Sequence, residues 1–464
     1  MHASHSRRCA ALSAAIAAGM FSDDTPSIML MDLDQIHATI THIQQDAGYP
    51  ASTLHTVAVK ANPIGKVLQQ FRDRGLGAEA ASMGELQQAL HVGFPPNRIV
   101  FDSPAKTRSE LRFALSAGVA VNLDNFQELQ RTADLLAAEP ALMGQQQQQQ
   151  QQLIGLRINP QVGEGSIAAL STGGAVSKFG FPLQEARAEL VAAFKQHPWL
   201  NMLHLHVGSQ GLELATMLAG VRAVWGLLQE IEAACGAGRV KVLDIGGGLS
   251  VDFATDAAPE TLFQQQARLL ADSIPELFSP NCSVRLVTEN GRSLLAKAGC
   301  AASTVEYTKW SGGRHIAVAH LGADLCMRAC YMPDTWGLRV FVCAADGAQK
   351  EGAPGVETVV QDIAGPLCFQ GDRLAVGRCM PKAEVGDFVV VADVGAYTLS
   401  MYSRYNSRCS PPVYGYRSAA AAAAAAEKPA AAEAQLAAGG GAMQLELLRA
   451  GETLQQVLQF WNQL

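Results

Sequence analysis

The sequence has no long apolar run and no paired-cysteine motif. Across its 464 residues, no window approaches the roughly 18 continuous apolar residues that a membrane span requires. The 10 cysteines show neither a CxxC nor a CxxxxH spacing, a pattern that fits reduced thiols better than a disulfide framework or a zinc site. We therefore predict a soluble protein with no membrane partner, no structural disulfide and no metal.

The sequence also lacks a strong excess of charge of either sign. Its 35 basic and 42 acidic residues give a net charge of −7, which argues against nucleic acid and anionic membranes as partners. With 48% hydrophobic residues, the chain can bury one large core or two moderate ones. A small molecule is the better expectation for the ligand.

Acidic residues are missing from the start of the chain. No Asp or Glu precedes Asp23, whereas Arg7 and Arg8 lie among several Ser and Ala residues. This composition is typical of a short organellar transit peptide, and equally of a disordered start. Residues 1–26 are therefore predicted to be transit-like or disordered, and the location to be cytoplasmic or plastid.

Two tracts of low complexity lack the mixed apolar content of a packed segment. They are Gln145–Gln152 and the Ala/Glu/Gly-rich stretch Ser418–Gly441. Such segments bury too little apolar surface to offset the entropy that ordering costs. We predict that both are surface insertions without a role in the fold.

Short β-rich apolar runs alternate with helical patterns along the first two thirds of the chain. The runs are Val57–Val59, Ile99–Phe101, Val119–Leu123, Ile154–Ile158, Met202–His206, Val240–Ile245 and Val284–Thr288. Alternation of this kind is typical of βαβ units. With a weaker candidate at Gly77–Ala81, the runs predict an α/β fold, a (β/α)8 TIM barrel over residues 27–310.

After about Ser311 the pattern changes to strand-like runs without helices between them. Examples are His315–Ala319, Leu338–Ala344, Glu357–Ile363 and Phe388–Ala392. These runs predict a C-terminal β-barrel or β-sandwich domain over residues 311–464. The strand-like run Ser27–Met31 could join this second domain rather than the barrel.

In a barrel of this kind the chemistry lies at the carboxyl ends of the strands. Lys60 follows the apolar run Val57–Val59 and precedes a turn that contains Pro63. Desolvation at a strand tip lowers the pKa of a lysine, as Schiff-base chemistry requires. Taken alone, the motif fits a surface lysine whose stem packs on apolar surface better than it fits a catalytic lysine.

Polar and glycine-rich motifs follow three other runs. His206-Val207-Gly208-Ser209 ends one, Gly246-Gly247-Gly248 ends the next, and Glu289-Asn290-Gly291-Arg292 ends the last. Consecutive glycines let backbone N–H groups approach a phosphate. A carboxylate and a guanidinium in one turn could serve a heterocycle nitrogen and an oxyanion, although an ordinary salt bridge is the simpler alternative.

The predicted β-domain adds a Gly-Pro-Leu-Cys loop that ends at Cys368, and a Gly-Ala-Tyr run that ends at Tyr397. Most cysteines are small core residues. Cys368 differs because it follows Gly-Pro in a predicted loop, where a thiol is accessible and reactive.

Taken in order, these motifs resemble the fold-type III decarboxylases that use pyridoxal 5′-phosphate (PLP), the family of diaminopimelate, ornithine and related amino-acid decarboxylases. The resemblance extends from about Met29 to Val457, with the diaminopimelate branch the most similar. The motifs are Val59–Asn62, Ser82–Leu86, Ser177–Gly180, His206–Ser209, the three glycines, Glu289–Arg292 and the Cys368 and Tyr397 runs. It implies an alanine-racemase-like TIM barrel with a β-domain.

The resemblance also implies a role for each matching residue. Lys60 would bind PLP covalently, His206 would stack on its ring, Glu289 would pair with its ring nitrogen and Cys368 would return a proton to the substrate. Phosphate contacts would come from Ser209, Gly247, Gly248, Arg292 and Tyr397. Because the family's cysteine comes from the partner subunit, an obligate homodimer with shared sites is implied.

Four departures from the family pattern concern specificity. Asn290 replaces a proline, and Glu79 stands where the family commonly has Asp. Phe369 replaces an acid that meets the distal ammonium of the substrate, and Tyr331 lies one residue closer to Arg328 than expected. Contacts with the substrate are therefore expected from Arg292, Arg328, Tyr331, Phe369 and Tyr397.

Retention of Arg328 favours a substrate with a distal carboxylate, and meso-diaminopimelate, decarboxylated to L-lysine, is the first expectation. The alternative is ornithine, lysine, arginine or a carboxy-polyamine. An alanine-racemase-type activity would require a tyrosine base in place of the Cys368 loop. A catalytically silent regulator would be expected to lose cofactor contacts, whereas Lys60, His206 and Glu289 are all present.

Overall fold

A computed structural model of the chain describes residues 3–143, 152–419, 421 and 443–463. The predicted insertions Gln145–Gln152 and Ser418–Gly441 lie almost entirely outside the described residues. The chain divides into two compact units. We call Thr39–Val251 with Pro259–Leu294 the barrel unit, and Met1–Ala38 with Asp252–Ala258 and Leu295–Leu464 the β-unit.

The described chain begins with helix α1 (Ala3–Ala17), strand β1 (Ser27–Asp32) and helix α2 (Leu33–Thr41). The prediction of a disordered start therefore needs correction. Ala11, Leu12 and Ala15 of α1 are buried in the core of the β-unit. Alanines at helical spacing form a narrow apolar face, and composition alone does not distinguish such a face from a disordered alanine-rich segment.

Eight parallel strands form the barrel. They are β2 (Leu54–Ala58), β3 (Gly77–Ala80), β4 (Ile99–Phe101), β5 (Ala120–Leu123), β6 (Ile154–Asn159), β8 (Met202–Leu205), β9 (Val242–Asp244) and β10 (Arg285–Asn290), with the short β7 (Phe181–Pro182) beside β6. Pairing of β5 with β6, as in Val121 with Ile154, closes the sheet. The predicted eight-stranded barrel is confirmed. It includes β3, for which the sequence pattern was the weakest.

Helices follow most of these strands, and local sequence sets their ends. They are α3 (Gly65–Arg72), α4 (Met83–Val92), α5 (Arg108–Ala117), α6 (Phe126–Ala138), α7 (Leu183–Gln196), α8 (Leu214–Cys235), α9 (Glu260–Ser273) and α10 (Arg292–Leu295). Thr107 and Glu110 form a capping box at the start of α5, which satisfies N–H groups that the first turn leaves unpaired. Gly118 ends the helix in the left-handed conformation that favours glycine.

Apolar side chains fill one end of the barrel. The cluster contains Leu54, Val100, Ala120, Met202, Val242 and Val287, all buried. Most of these residues lie at or near the amino ends of their strands. Polar side chains that point into the barrel are consequently concentrated toward the carboxyl ends, where the chemistry of such a fold is expected.

The β-unit is a mixed nine-stranded sheet. After β1 its strands are β11 (Gly299–Ser311), β12 (Arg314–Ala319), β13 (Val340–Cys343), β14 (Thr358–Ala364), β15 (Arg373–Pro381), β16 (Phe388–Ala392), β17 (Val413–Ser418) and β18 (Met443–Arg449), with helices α11 (Met327–Tyr331) and α12 (Leu454–Trp461). Strand β1 pairs antiparallel with β11 and parallel with β17.

These pairings give unit limits that differ from the predicted limits of 27–310 and 311–464. Strand β11 runs across residue 310, and its first half pairs with β1 and β16. The first strand, Ser27–Asp32, thus belongs to the β-unit sheet, as the second of the two sequence-based alternatives had it. No helix among the described residues is both long and apolar enough to cross a membrane.

Candidate active site

Lys60 lies in a single turn of 3-10 helix, Val59–Ala61, directly after β2. Its Nζ lies 2.5 Å from the Glu79 carboxylate, on the neighbouring strand β3. Glu79 is only 1% exposed, and burial raises the pKa of its carboxyl even though the Lys60 charge opposes that shift. The amine of Lys60 is therefore paired with a buried carboxylate. This pairing argues against a surface lysine that only packs its stem on apolar surface.

His206 follows strand β8 and faces the glycine turn. The Gly247 N–H donates to its Nδ1 at 3.2 Å. Burial lowers the pKa of His206 well below its ordinary value, and nearby cationic groups add to the shift. The imidazole is therefore neutral, and because Nδ1 is the acceptor, its proton lies on Nε2.

The three glycines after β9 pack where no side chain fits. A Cβ on Gly247 would lie 2.0 Å from the Glu289 carbonyl oxygen, and a Cβ on Gly248 would lie 2.0 Å from the Gly208 carbonyl oxygen. Gly246 and Gly248 also have φ values of +65° and +104°, which disfavour other residues. This turn brings bare backbone to the carboxyl end of the barrel, the property that a phosphate-binding turn requires.

Ser209 lies beside this turn in the chain segment that follows β8. Its backbone N–H donates to the Leu170 carbonyl at 3.1 Å, and Gly208 forms a β-bridge with Ser171. The backbone N–H of Ser209 is therefore engaged within the protein. If Ser209 contacts an anion, its hydroxyl is the group that does so.

Glu289 is buried on β10, the strand next to β2. Its Oε1 has no hydrogen-bond partner among the described residues. Burial raises the pKa of Glu289 well above its ordinary value, and nearby acids, Asp102 first, raise it further. A buried carboxyl with an unused acceptor suits a protonated ring nitrogen. Glu289 therefore fits a pyridine cofactor.

Side-chain hydrogen bonds support the Glu289–Arg292 turn, in which Asn290 replaces the family's proline. The Asn290 amide donates to Thr288 Oγ1 at 3.3 Å, and Ser293 Oγ donates to Asn290 Oδ1 at 3.2 Å. Asn290 is 2% exposed and Arg292 is 6% exposed. Two side-chain hydrogen bonds thus replace a ring constraint and hold Arg292 at the start of α10.

Sequence reasoning missed three buried groups in this end of the barrel. Asp102 follows β4 and accepts from the Asn122 amide at 2.7 Å. His204, on β8, has its Nε2 3.4 Å from Asp102 and 3.5 Å from Glu289. Asp244 ends β9, and burial raises its pKa to about 8. The alternation Leu-His-Leu-His at the end of β8 was the available signal for His204.

His204, His206 and Glu289 place one potential ligand atom each within 4.8 Å of one another. Burial lowers the pKa of His204 to about 4, so its ring is neutral. However, His206 Nδ1 already accepts a backbone N–H. The cluster therefore suits an organic cation at Glu289 better than a metal ion.

The β-unit holds the other candidate residues. Cys368 is exposed, and its loop is fixed by Asn406, whose Oδ1 accepts the Cys368 N–H at 2.9 Å. Asp372 accepts the Leu367 N–H at 2.7 Å and so closes the loop from the other side. The thiol is therefore accessible on a defined turn, as the sequence predicted.

Two aromatic contacts organise the predicted specificity residues. Phe369 stacks on Tyr331, with ring centroids 4.7 Å apart. The Arg328 guanidinium lies 5.4 Å from the Tyr397 ring centroid and 4.9 Å from that of Trp336. Burial lowers the pKa of Arg328, and its Nη1 has no hydrogen-bond partner among the described residues. Sequence reasoning did not include Trp336.

Comparison with known proteins adds an independent line of support. The model of the family described as "Pyridoxal-dependent decarboxylase, pyridoxal binding domain" matches residues 33–296. The chain is 30% identical to the diaminopimelate decarboxylase of Zymomonas mobilis over 78% of this chain and 80% of that protein. It is 32% identical to the enzyme of Pseudomonas aeruginosa over 76% and 78% of the two chains.

Among solved structures, the diaminopimelate decarboxylase of Helicobacter pylori complexed with L-lysine is similar with a TM-score of 0.75. The match covers 94% of this chain and 97% of that one, at 23% identity. At this identity the likeness supports the fold. Both units of the chain thus have their counterparts in a single known architecture.

Proposed function

The chain belongs to the pyridoxal-dependent decarboxylase family, and from this premise we propose that it removes a carboxylate from meso-diaminopimelate to give L-lysine. The predicted cofactor, PLP, and the predicted class of enzyme, an amino-acid decarboxylase, are confirmed by that membership. The observation that carries the proposal is the pairing of Lys60 with buried Glu79. Lys60 directly follows β2, and β2 lies next to β10, the strand that carries Glu289.

When bound, PLP supplies an electron sink for the electron pair that remains as carbon dioxide departs. Lys60 would hold the cofactor through its amine, and the Glu79 carboxylate, 2.5 Å away, would balance the positive charge of that nitrogen. Glu289 would keep a proton on the ring nitrogen, which its buried, unused acceptor supports. Each residue thereby holds a charge or a proton at one defined atom.

We assign the phosphate of the cofactor to Gly247, Gly248, Ser209, Arg292 and Tyr397, and the ring face to His206. The requirement for glycine at both positions supports the first assignment, since a phosphate-binding turn presents bare backbone. The neutral state of His206 supports the second. A neutral ring can lie against the cofactor without competing for the proton at Glu289.

Cys368 is the proposed acid that returns a proton to the substrate carbon after the carboxylate has left. Its exposure suits a group that serves a site on a partner subunit, so we include a homodimer with shared sites in the proposal. A cross-linking or light-scattering measurement of the purified protein tests the dimer. A monomer with full activity would remove this part of the proposal.

Arg328 supports a substrate with a distal carboxylate. Its guanidinium is held between the Trp336 and Tyr397 rings, while Nη1 is buried without a partner among the described residues. A buried donor of this kind gains most from an anion. We therefore rank meso-diaminopimelate before ornithine, lysine and arginine, which have no distal carboxylate.

Phe369 favours the alternative of another amino acid or a carboxy-polyamine. Its ring stacks on Tyr331 in a position where the family commonly has an acid for the distal ammonium. An aromatic ring offers that ammonium a cation–π contact only, which is weaker than a salt bridge with hydrogen bonds. The alternative differs from the first proposal in substrate and keeps the same reaction.

The decisive experiment combines a spectrum with an assay. The purified protein, loaded with PLP, is scanned for the visible absorption band of the lysine-bound cofactor. Release of carbon dioxide is then measured with meso-diaminopimelate, ornithine, lysine and arginine. A band with release from diaminopimelate alone is the expected result. A band with release from another substrate overturns the first choice, and a band without any release supports a silent regulator.

The location of the protein, in the cytoplasm or a plastid, stays a prediction. Several of the similar enzymes are bacterial, which favours the cytoplasm. A fluorescent tag at the C-terminus distinguishes the two compartments. Signal confined to plastids would favour the transit-like interpretation of residues 1–26.

A further inference from the structure

A line of alternating charges connects helix α1 to the turn before Tyr397 within the β-unit. Arg8 Nη2 lies 2.7 Å from Asp256 Oδ1, and Arg339 Nη1 lies 2.7 Å from the same oxygen. On its other side Arg339 binds Asp393 with two nitrogens, at 2.8 Å and 3.0 Å. Asp393 follows β16 and begins the Asp-Val-Gly-Ala-Tyr run that ends at Tyr397.

The two ends of this line, Arg8 and Asp393, are buried, and its middle members, Asp256 and Arg339, are partly buried. Arg8 is 5% exposed and Asp393 is 3% exposed. Burial alone would raise the pKa of Asp256, but hydrogen bonds from Arg8 and Arg339 lower it to about 2. Loss of Arg8 leaves Arg339 as the partner of Asp256 in this line and shifts the balance of attraction at Arg339 toward Asp256. Arg8 thereby contributes to the position of Arg339.

The turn that the line reaches has a backbone that needs external support. Asp393 and Tyr397 have φ values of +64° and +54°, in the left-handed region that is unfavourable for residues with a Cβ. Such conformations persist when the surrounding structure enforces them. The Asp393 side chain, held by Arg339 and by Lys297 Nζ at 3.2 Å, supplies that enforcement.

Close backbone packing against residues 295–299 also holds this turn. A Cβ on Gly395 would lie 2.0 Å from the Leu295 carbonyl oxygen. The Val394 N–H donates to the Gly299 carbonyl at 3.0 Å, and the Gly395 N–H donates to the Ala296 carbonyl at 3.1 Å. The backbone thus fixes the middle of the turn. The charged contacts of Asp393 support its first residue, four positions before Tyr397.

We propose that Arg8 is a positioning residue for Tyr397, and that helix α1 acts through Asp256 and Arg339 to fix the Asp393–Tyr397 turn. The consequence for the cofactor rests on the proposed function, which gives Tyr397 a contact with the PLP phosphate. The first helix is thus part of the machinery that holds the cofactor, although no residue of α1 touches it in this proposal.

Arg7 provides a matched control on the same helix. It pairs with Asp32 and Asp34, and neither acid takes part in the line to Asp393. Loss of Arg7 or of Arg8 removes one positive charge from α1 and weakens its attachment. Only the loss of Arg8 breaks the line to the Tyr397 turn, so the pair separates positioning from attachment.

The test compares Arg8→Gln, Arg8→Lys and Arg7→Gln in the full-length protein. PLP affinity is measured by absorbance titration, and thermal unfolding is recorded for each variant. Arg8→Gln should weaken PLP binding by about tenfold, because small displacements of a ligand contact have effects of this size or larger. Arg8→Lys should restore part of the loss, and Arg7→Gln should leave the affinity within about twofold. Equal losses in the two Gln variants would overturn the proposal.

Hydrogen exchange of the segment 393–397 supplies a readout that does not depend on the cofactor. Exchange there should accelerate in Arg8→Gln and stay unchanged in Arg7→Gln. Unchanged exchange in Arg8→Gln would overturn the positioning role even if PLP binds normally. A wild-type protein that binds no PLP would contradict the proposed function instead, with the exchange result still interpretable.

Asp256→Asn is the second route if Arg8→Gln fails to fold. It removes the charge of the second member of the line and leaves the sequence of α1 unaltered, with Arg8 losing the charge of its partner. Faster exchange at 393–397 with weaker PLP binding is again the expected result. Normal exchange and normal binding in a folded Asp256→Asn protein would exclude the line as the support of this turn.

Discussion

The barrel unit and the β-unit present their candidate residues in opposite ways. In the barrel, Glu79 and Glu289 are buried, and Lys60 is held against one of them. In the β-unit, Cys368 is exposed on a loop and Tyr331 is exposed at the end of α11. The barrel thus gathers buried charged groups at its strand ends, whereas the β-unit exposes the residues to which we assign proton donation and specificity. This difference predicts that cofactor retention and substrate turnover can be perturbed separately.

The largest expected effect tests the barrel half of that comparison. Lys60→Ala should abolish the visible band of the bound cofactor and reduce decarboxylation by more than about a thousandfold, because we assign the covalent attachment of the cofactor to this amine. Absorbance and carbon dioxide release measure the two effects. Lys66→Ala on α3, an exposed lysine, is the control and should change neither.

Cys368→Ala tests the β-unit half. We expect kcat to fall by about a hundredfold, the usual contribution of a positioned acid, while PLP affinity stays within about twofold of wild type. Steady-state kinetics and the absorbance titration give the two values, and Cys379→Ala, another exposed cysteine, is the control. Equal losses of kcat and of affinity would contradict the separation of roles.

A smaller effect concerns Asp244, whose burial in the barrel makes the stability of the folded protein depend on pH. The folded protein keeps a proton on Asp244 up to about pH 8, whereas the unfolded chain releases it near pH 4. Stability from this group therefore falls as the pH rises between these values. In the cofactor-free protein, Asp244→Asn should raise the unfolding temperature about 2–4 °C more at pH 8 than at pH 5.

Calorimetry at both pH values checks this expectation. The exposed acid Asp272 on α9 provides the control substitution, Asp272→Asn, which should show no such difference. Glu79, Asp102 and Glu289 remain in the variant, so a residual dependence on pH is expected. An Asp244→Asn protein with the wild-type dependence would show that Asp244 is not a source of it.

The smallest expected effect sharpens the role of the exposed loop. Phe369→Glu should raise kcat/KM for diaminopimelate by about two- to fivefold, the range of a partly exposed ion pair. Phe369→Gln removes the same ring without adding charge and is the matched control. If both variants have the wild-type kcat/KM, Phe369 has no part in the choice of substrate.

The fold was largely predictable because parallel strands buried on both faces appear as apolar runs. Ile99–Phe101 was predicted with its final bounds, and most other runs were off by one to three residues. Helix α1 was not predicted, since its alanine-rich face is too weakly apolar to be recognised without the β-unit core that covers it. Tertiary packing, which the local sequence does not contain, decided that segment.

The site was predictable where the chain itself marks it. Lys60, His206 and Glu289 each follow or end a strand, so barrel geometry alone brings them to one end. Asp102 and His204 were missed because their relation to Glu289 crosses the barrel between strands that are far apart in sequence. A single polar residue in an apolar run carries no sign of which partner it will meet.

The pairing of β1 with β11 and β17 has a consequence for how the protein is made. Ser27 leaves the ribosome early, yet its partner Ser303 and the strand Val413–Ser418 are synthesised much later. The intervening barrel can therefore form first. Until β11 and β17 are synthesised, the apolar faces of β1 and α1 stay uncovered. Until those partners are made, β1 has nothing to pair with, and this is the period when the nascent chain is most open to aggregation or to help from chaperones.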